Sequence, residues 1–279
     1  MEKDRMTRKE LLILMENYLE ALIEKCPQKI TCSSKCRIMY NGKKSEIGDN
    51  PLWKNTLVIR QRQTFVDEVE GNIVFFGVMT NEPFEKVYPF PVDINVHNVT
   101  YTATIRIHVE NGEIVEIEEL VSDKRMRNFY YEAKDISLPD LEFEILVPED
   151  ERSTREELKE LVETYWNCIE RKDSAEKLKI HPDAQRYENG YCTTNHTYSF
   201  RGDFKYNEGF CWDTPENSRC YPIIDTKRGL VVSYCMLEGN SNTADGDQGV
   251  RVVEAFKIKD GLLCHLMAFF PILKEFCIY

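Results

Sequence analysis

The feature that most constrains this chain is that its second half repeats its first. TRKELLILMENYLEALIEKC (7–26) returns as TREELKELVETYWNCIERKD (154–173), a shift of 147, and MYNG (39–42) returns as YENG (187–190), a shift of 148. FVDEVEGNIV (65–74) matches IIDTKRGLVV (223–232) at a shift of 158, and IRIHVENGEIVEIEELV (105–121) matches EAFKIKDGLLCHLMAFF (254–270) at 149. Four segments in one order at nearly one spacing imply two homologous domains, 1–147 and 148–279, meeting near PEDERS (148–153). A length of 279 residues also suits two domains of ordinary size.

Each half opens with an amphipathic helix, whose apolar stripe is Leu11, Met15, Tyr18 and Leu22 in one copy and Leu158, Val162, Tyr165 and Ile169 in the other. Thr7 and Thr154 stand where an N-cap belongs, each with Glu three residues on, the capping-box spacing. Alternating or apolar runs follow, separated by Asn-Gly, Glu-Gly, Arg-Gly and Asp-Gly turns. The fold class expected is therefore α+β, each copy a helix followed by a curved antiparallel sheet. Asp67 and Asp225 precede Gly71 and Gly229 by four residues and are read as turn residues. The Glu run in GEIVEIEEL (112–120) is read as a solvated strand face.

A net charge of −12 argues against a nucleic-acid or anionic-membrane surface, both of which attract clustered Lys and Arg. The opening MEKDRMTRKE has no apolar signal core, and no run approaches the roughly 18 apolar residues of a membrane span, so a cytoplasmic protein is expected. The ten cysteines are then read as reduced. Cys32 and Cys36 lack a second Cys or His pair at zinc-like distance, so no metal site is expected. No phosphate-cradling loop or nucleophile elbow stands in the sequence, and no cofactor is expected. What remains is a small-molecule partner.

Strand parity selects the candidate residues of the second half. In VRVVEAFKIK (250–259), Val252, Glu254, Phe256 and Ile258 share one face and Arg251, Lys257 and Lys259 the other, so Glu254 is expected in an apolar row where burial raises its pKa. In HPDAQRYENGY (181–191), Arg186 and Glu188 alternate onto one face. Relative to the first half, about ten extra residues fall within 191–220, a segment that carries His196, Tyr198, Phe200 and Trp212 and suggests an aromatic rim or lid. Arg219 and Phe270 stand beside these as further substrate-binding candidates. The first half instead lengthens the segment 81–100.

LVETYWNCIERKD, HPDAQRYENG and EAFKIKDGLL together resemble the cone-shaped α+β fold of the NTF2-like superfamily, which includes ketosteroid isomerases, SnoaL-like cyclases and scytalone dehydratase. GDNPLWKN (48–55) followed by FVDEVEGNIVFFGV is similar to an uncharacterised subgroup of it. The resemblance implies two tandem cones and, in the second, an acid–base site: Glu188 at the position of the base, Glu254 and Tyr165 at those of the hydrogen-bond donors. The same shifts put Tyr18, Tyr40 and Ile105 at these places in the first half, which is thus read as a degenerate, structural copy. The resemblance also implies intramolecular pairing of the domains and a possible homodimer.

Three functions follow as expectations. The first is a cofactor-independent isomerase or lyase acting on a small apolar carbonyl compound of steroid, terpenoid or polyketide type. In it Glu188 abstracts a proton, Glu254 and Tyr165 stabilise the oxyanion, and Arg186, Phe256 and Trp212 contact substrate. The second is a dehydratase using His196 with Tyr198 or Tyr165. The third is a non-catalytic module binding a ligand or protein through the same cone.

Overall fold

The computed structural model describes residues 5–81, 100–121, 138–170, 177–188, 191–192, 212–213, 218–239, 249–269 and 272–273. It divides into two compact units.

The first unit opens with α1 (Arg8–Glu24), started by the expected capping box. The Glu10 amide donates to Thr7 Oγ1 at 3.4 Å and the Thr7 amide returns to Glu10 Oε2 at 2.7 Å. There follow β1 (Cys32–Tyr40), β2 (Lys43–Lys44), the short α2 (Pro51–Asn55), β3 (Val58–Asp67), β4 (Asn72–Thr80), β5 (Thr100–Glu110) and β6 (Glu113–Val121). They form one sheet in the order β2-β1-β6-β5-β4-β3, in which β1 runs parallel to β6 and the other neighbours are antiparallel. Leu11, Met15, Tyr18 and Leu22 of α1 pack on Ile73, Phe75, Ala103, Ile105, Ile107 and Ile117 of the sheet. Each such side chain, fully buried, contributes roughly 1.5–3 kcal/mol.

The second unit repeats the plan. After α3 (Arg155–Ile169), capped by Thr154 and Glu157, come β7 (Ile180–Glu188), β8 (Tyr191–Cys192), β9 (Trp212–Asp213), β10 (Cys220–Asp225), β11 (Leu230–Gly239), β12 (Gly249–Lys259), β13 (Leu262–Phe269) and β14 (Ile272–Leu273). The main path is β10-β11-β12-β13-β7-β8, with β9 beside β11 and β14 beside β12. Again the strand after the helix, β7, pairs parallel with β13. The sheets are therefore mixed, where the turn pattern alone suggests antiparallel ones. Hairpin turns betray β3–β4, β5–β6, β10–β11 and β12–β13, but a parallel contact between distant strands has no local signature.

Turn chemistry recurs at matching places. Asp67 Oδ1 accepts from the Val69 and Glu70 amides at 2.9 and 3.2 Å, and Asp225 Oδ1 accepts from the Lys227 amide at 3.0 Å, as turn residues should. Gly71 (φ 67°) and Gly229 (φ 56°) each hold the carbonyl that accepts from a strand amide, Val109 at 2.8 Å and Ile258 at 2.7 Å. A Cβ on either would lie within 2.4 Å of the facing carbonyl oxygen, so only glycine fits.

The boundary at 147/148 is corrected by the packing. Residues 140–147 belong to the second unit. Phe143 and Val147 are buried there, the Val147 amide donates to Lys227 O at 2.9 Å, and Asp140 Oδ2 meets His265 Nε2 at 2.6 Å. The repeat could not reveal this, because the segment has no counterpart in the first half. The segments 82–99 and 193–211, with His196 and Tyr198, lie outside the described residues, as does Phe270. No helix among the described residues is long and apolar enough to cross a membrane.

Candidate functional site

In the second unit Tyr165, Arg186, Glu188 and Glu254 come together on the face that packs against α3. Parity is as expected: Val252, Phe256 and Ile258 share the buried core with α3, and Glu254 between them is fully buried. The Tyr165 hydroxyl donates to Glu254 Oε1 at 3.1 Å, with Oε2 at 3.4 Å. Arg186 Nε donates to the Tyr165 hydroxyl at 2.9 Å and to Glu254 Oε1 at 3.2 Å, while its Nη1 pairs with Glu188 Oε1. One guanidinium thus joins two carboxylates and a phenol. Phe256 closes the apolar side, its ring 5.0 Å from that of Tyr165 in an edge-on contact. Trp166 stands 6.0 Å from Phe256 and donates to Ser233 Oγ at 3.2 Å.

Exposure separates the four groups. The side chains of Arg186 and Glu254 are 2% and 0% exposed, and Tyr165 is fully buried, whereas Glu188 is 17% exposed. Burial pushes the Glu254 carboxyl upward, opposed by the Arg186 charge and by the hydrogen bonds from Tyr165 and Arg186.

Two expectations need correction. Tyr165 and Glu254 do not stand as a free donor pair, because the phenol hydrogen is already given to Glu254 and the phenol oxygen already accepts from Arg186. Nor does Arg219 belong to this group. Its Nη1 donates to Glu163 Oε2 at 2.7 Å and Asn167 Oδ1 at 2.8 Å, and its Nη2 to Glu170 Oε2 at 2.8 Å, so it clamps one side of α3. Trp212 lies on β9, with its backbone opposite Gly239. His196, Tyr198 and Phe270 lie outside the described residues.

The first unit is not stripped of carboxylates. Glu119, fully buried, accepts from the Tyr18 hydroxyl at 2.8 Å and Trp53 Nε1 at 2.9 Å on one oxygen, and from Asn50 Nδ2 at 2.6 Å on the other. Asn50 is fixed as the N-cap of α2, where it accepts from the Trp53 amide at 3.3 Å. Three neutral donors hold Glu119, and burial pushes it up to about 7. The expectation that the first half lacks a carboxylate at this site is corrected: it rests on the single strand that carries Ile105. Across the first sheet one row reads Phe75, Ile105, Glu119, Tyr40; across the second the matching row reads Ser233, Glu254, Ala268, Glu188. The carboxylate under the helix tyrosine has moved to the neighbouring strand.

The Glu run is likewise only in part a solvated face. Glu113 is exposed, Glu116 pairs with Arg37 and Arg106, Glu118 is buried 3.6 Å from Arg106 Nε, and Glu119 points into the core. The signal for Glu119 lay in the sequence: Ile117 and Val121 flank it at spacing two, the parity that exposes Glu254.

A sequence comparison with curated proteins gave no match. Among solved structures, a de novo designed protein with a curved beta-sheet is similar to 44% of this chain and 92% of its own length, at 18% identity and a TM-score of 0.31. A family model described as "Domain of unknown function (DUF8021)" matches residues 4–121 and again residues 151–270, the two units that carry Glu119 and Glu254. The chain therefore belongs to the DUF8021 family and carries two copies of its domain.

Proposed function

We propose that the second domain is a cofactor-independent acid–base site, an isomerase or lyase acting on a small, largely apolar carbonyl compound, with Glu188 as the group that moves the proton. The supporting observation is the exposure gradient along Glu188, Arg186 and Glu254: the outer carboxylate is 17% exposed and the inner two groups are sealed. Arg186 pairs with Glu188 and fixes its direction, so the base is aimed before substrate arrives. Tyr165 and Glu254 grip the Arg186 Nε and serve as positioning residues. A positioned base of this kind contributes roughly 10²–10⁴-fold. The first domain has Ile38 and Tyr40 where the second has Arg186 and Glu188, so the reaction is assigned to the second alone.

The reading is tested with a panel of cyclic ketones in D₂O, following by NMR the protein-dependent loss of hydrogens next to the carbonyl. Glu188→Gln should abolish that loss for any ketone that wild type labels. Labelling by the variant at the wild-type rate would refute the role of Glu188.

A further inference from the structure

Both domains bulge at the same place in the strand after the first helix. In β1, Cys32 lies beside Ile114 and Arg37 beside Glu116, five steps of one strand against two of its neighbour. In β7, Ile180 lies beside Leu263 and Gln185 beside His265, the same count. A regular strand would hold residues five apart at about 16 Å, but two steps of the partner strand span only about 7 Å, so the bulge draws its ends together. The bulge runs from Ile180 to Gln185 in the second domain and from Cys32 to Arg37 in the first, so Cys36 stands one residue inside the end opposite Cys32, where the second domain has Ala184.

Both cysteines are unpaired and half-buried, and both pack on the core formed with α1. Their thiols interact directly with one another, and Cys32 also lies within electrostatic range of Tyr18, the donor to Glu119. Burial raises both thiols, Cys36 to about 12, so neither is a spontaneous nucleophile while the bulge is closed.

We propose that Cys32 and Cys36 form a redox modification site, closing an intramolecular disulfide across the β1 bulge by exchange with a low-molecular-weight disulfide. In the first step one protein thiol, as its thiolate, attacks the small disulfide RSSR; a protein–SR bond forms, and RS⁻ leaves and takes up the proton. In the second step the other thiol attacks the protein sulfur of that mixed disulfide, and a second RSH leaves. The two protein sulfurs are oxidised by two electrons, and one RSSR becomes two RSH. The bulge makes the second step intramolecular. The disulfide would staple the strand that carries Tyr40 beside Glu119.

The test incubates the full-length protein with glutathione disulfide and maps the cysteines by mass spectrometry after trapping free thiols. Wild type should lose two hydrogens (2 Da) at the peptide or peptides carrying Cys32 and Cys36, without a lasting glutathione adduct there. Cys32→Ser should instead accumulate the adduct on Cys36, and Cys36→Ser on Cys32, because neither can complete the second step. A persistent adduct in wild type, or no reaction at either cysteine when the six-residue window 32–37 is opened by mild denaturant, would overturn the proposal.

Discussion

Tyr165 gives its phenolic hydrogen to Glu254 at 3.1 Å and takes one from Arg186 at 2.9 Å, so a single side chain of α3 ties a buried carboxyl to a buried cation. Tyr165→Phe removes both bonds at once. It should lower the stability of the second domain by about 1–3 kcal/mol, the cost of leaving buried polar groups without a partner, as read from chemical denaturation.

Arg186→Met is the harsher change, because it leaves Glu254 buried without its cation. It should cost about 3–5 kcal/mol, and combining it with Glu254→Gln should restore a large part of that. If the double variant were as unstable as Arg186→Met alone, the ion pair would not be what holds this cluster.

Arg219 supplies a separate test of architecture. Its side chain and that of Glu170 are each 1% exposed, and it binds Glu163 and Asn167 as well. Arg219→Met should destabilise the domain by about 3–5 kcal/mol through the stranded Glu170, with Glu170→Gln restoring part of the loss, measured by the same denaturation.

Glu119 gives the first domain a pH dependence with a defined sign. Its carboxyl is raised from 4.5 to about 7, so between those values the folded chain holds a proton that the unfolded chain has released. Stability is therefore greatest at the acid side of this window and falls as pH rises through it, by about 3 kcal/mol in all. Glu119→Gln, neutral at every pH and still an acceptor for Tyr18 and Trp53, should flatten that fall. Hydrogen exchange of the α1 amides at several pH values, compared between wild type and variant, reads the difference.

The repeat was legible because four segments return in one order, and the capping boxes at Thr7 and Thr154 and the turns at Asp67 and Asp225 because each is a local pattern that chemistry fixes within a few residues. The inward Glu254 was legible by parity, and Arg186 and Glu188 by alternation. What was not legible depended on neighbours across the sheet. The β1–β6 and β7–β13 parallel contacts have no local signal, so the row that places Glu119 where Ile105 was sought could not be drawn. Arg219 reads as an ordinary loop cation until α3 presents Glu163, Asn167 and Glu170 to it.

The central claim, that proton transfer belongs to the second domain through Glu188, is tested most directly by deuterium uptake into a ketone that wild type labels, compared for Glu188→Gln and Glu119→Gln. The account predicts a loss of at least about 100-fold for the first variant and the wild-type rate for the second. Full uptake by Glu188→Gln, or its loss in Glu119→Gln with the fold intact, would contradict it.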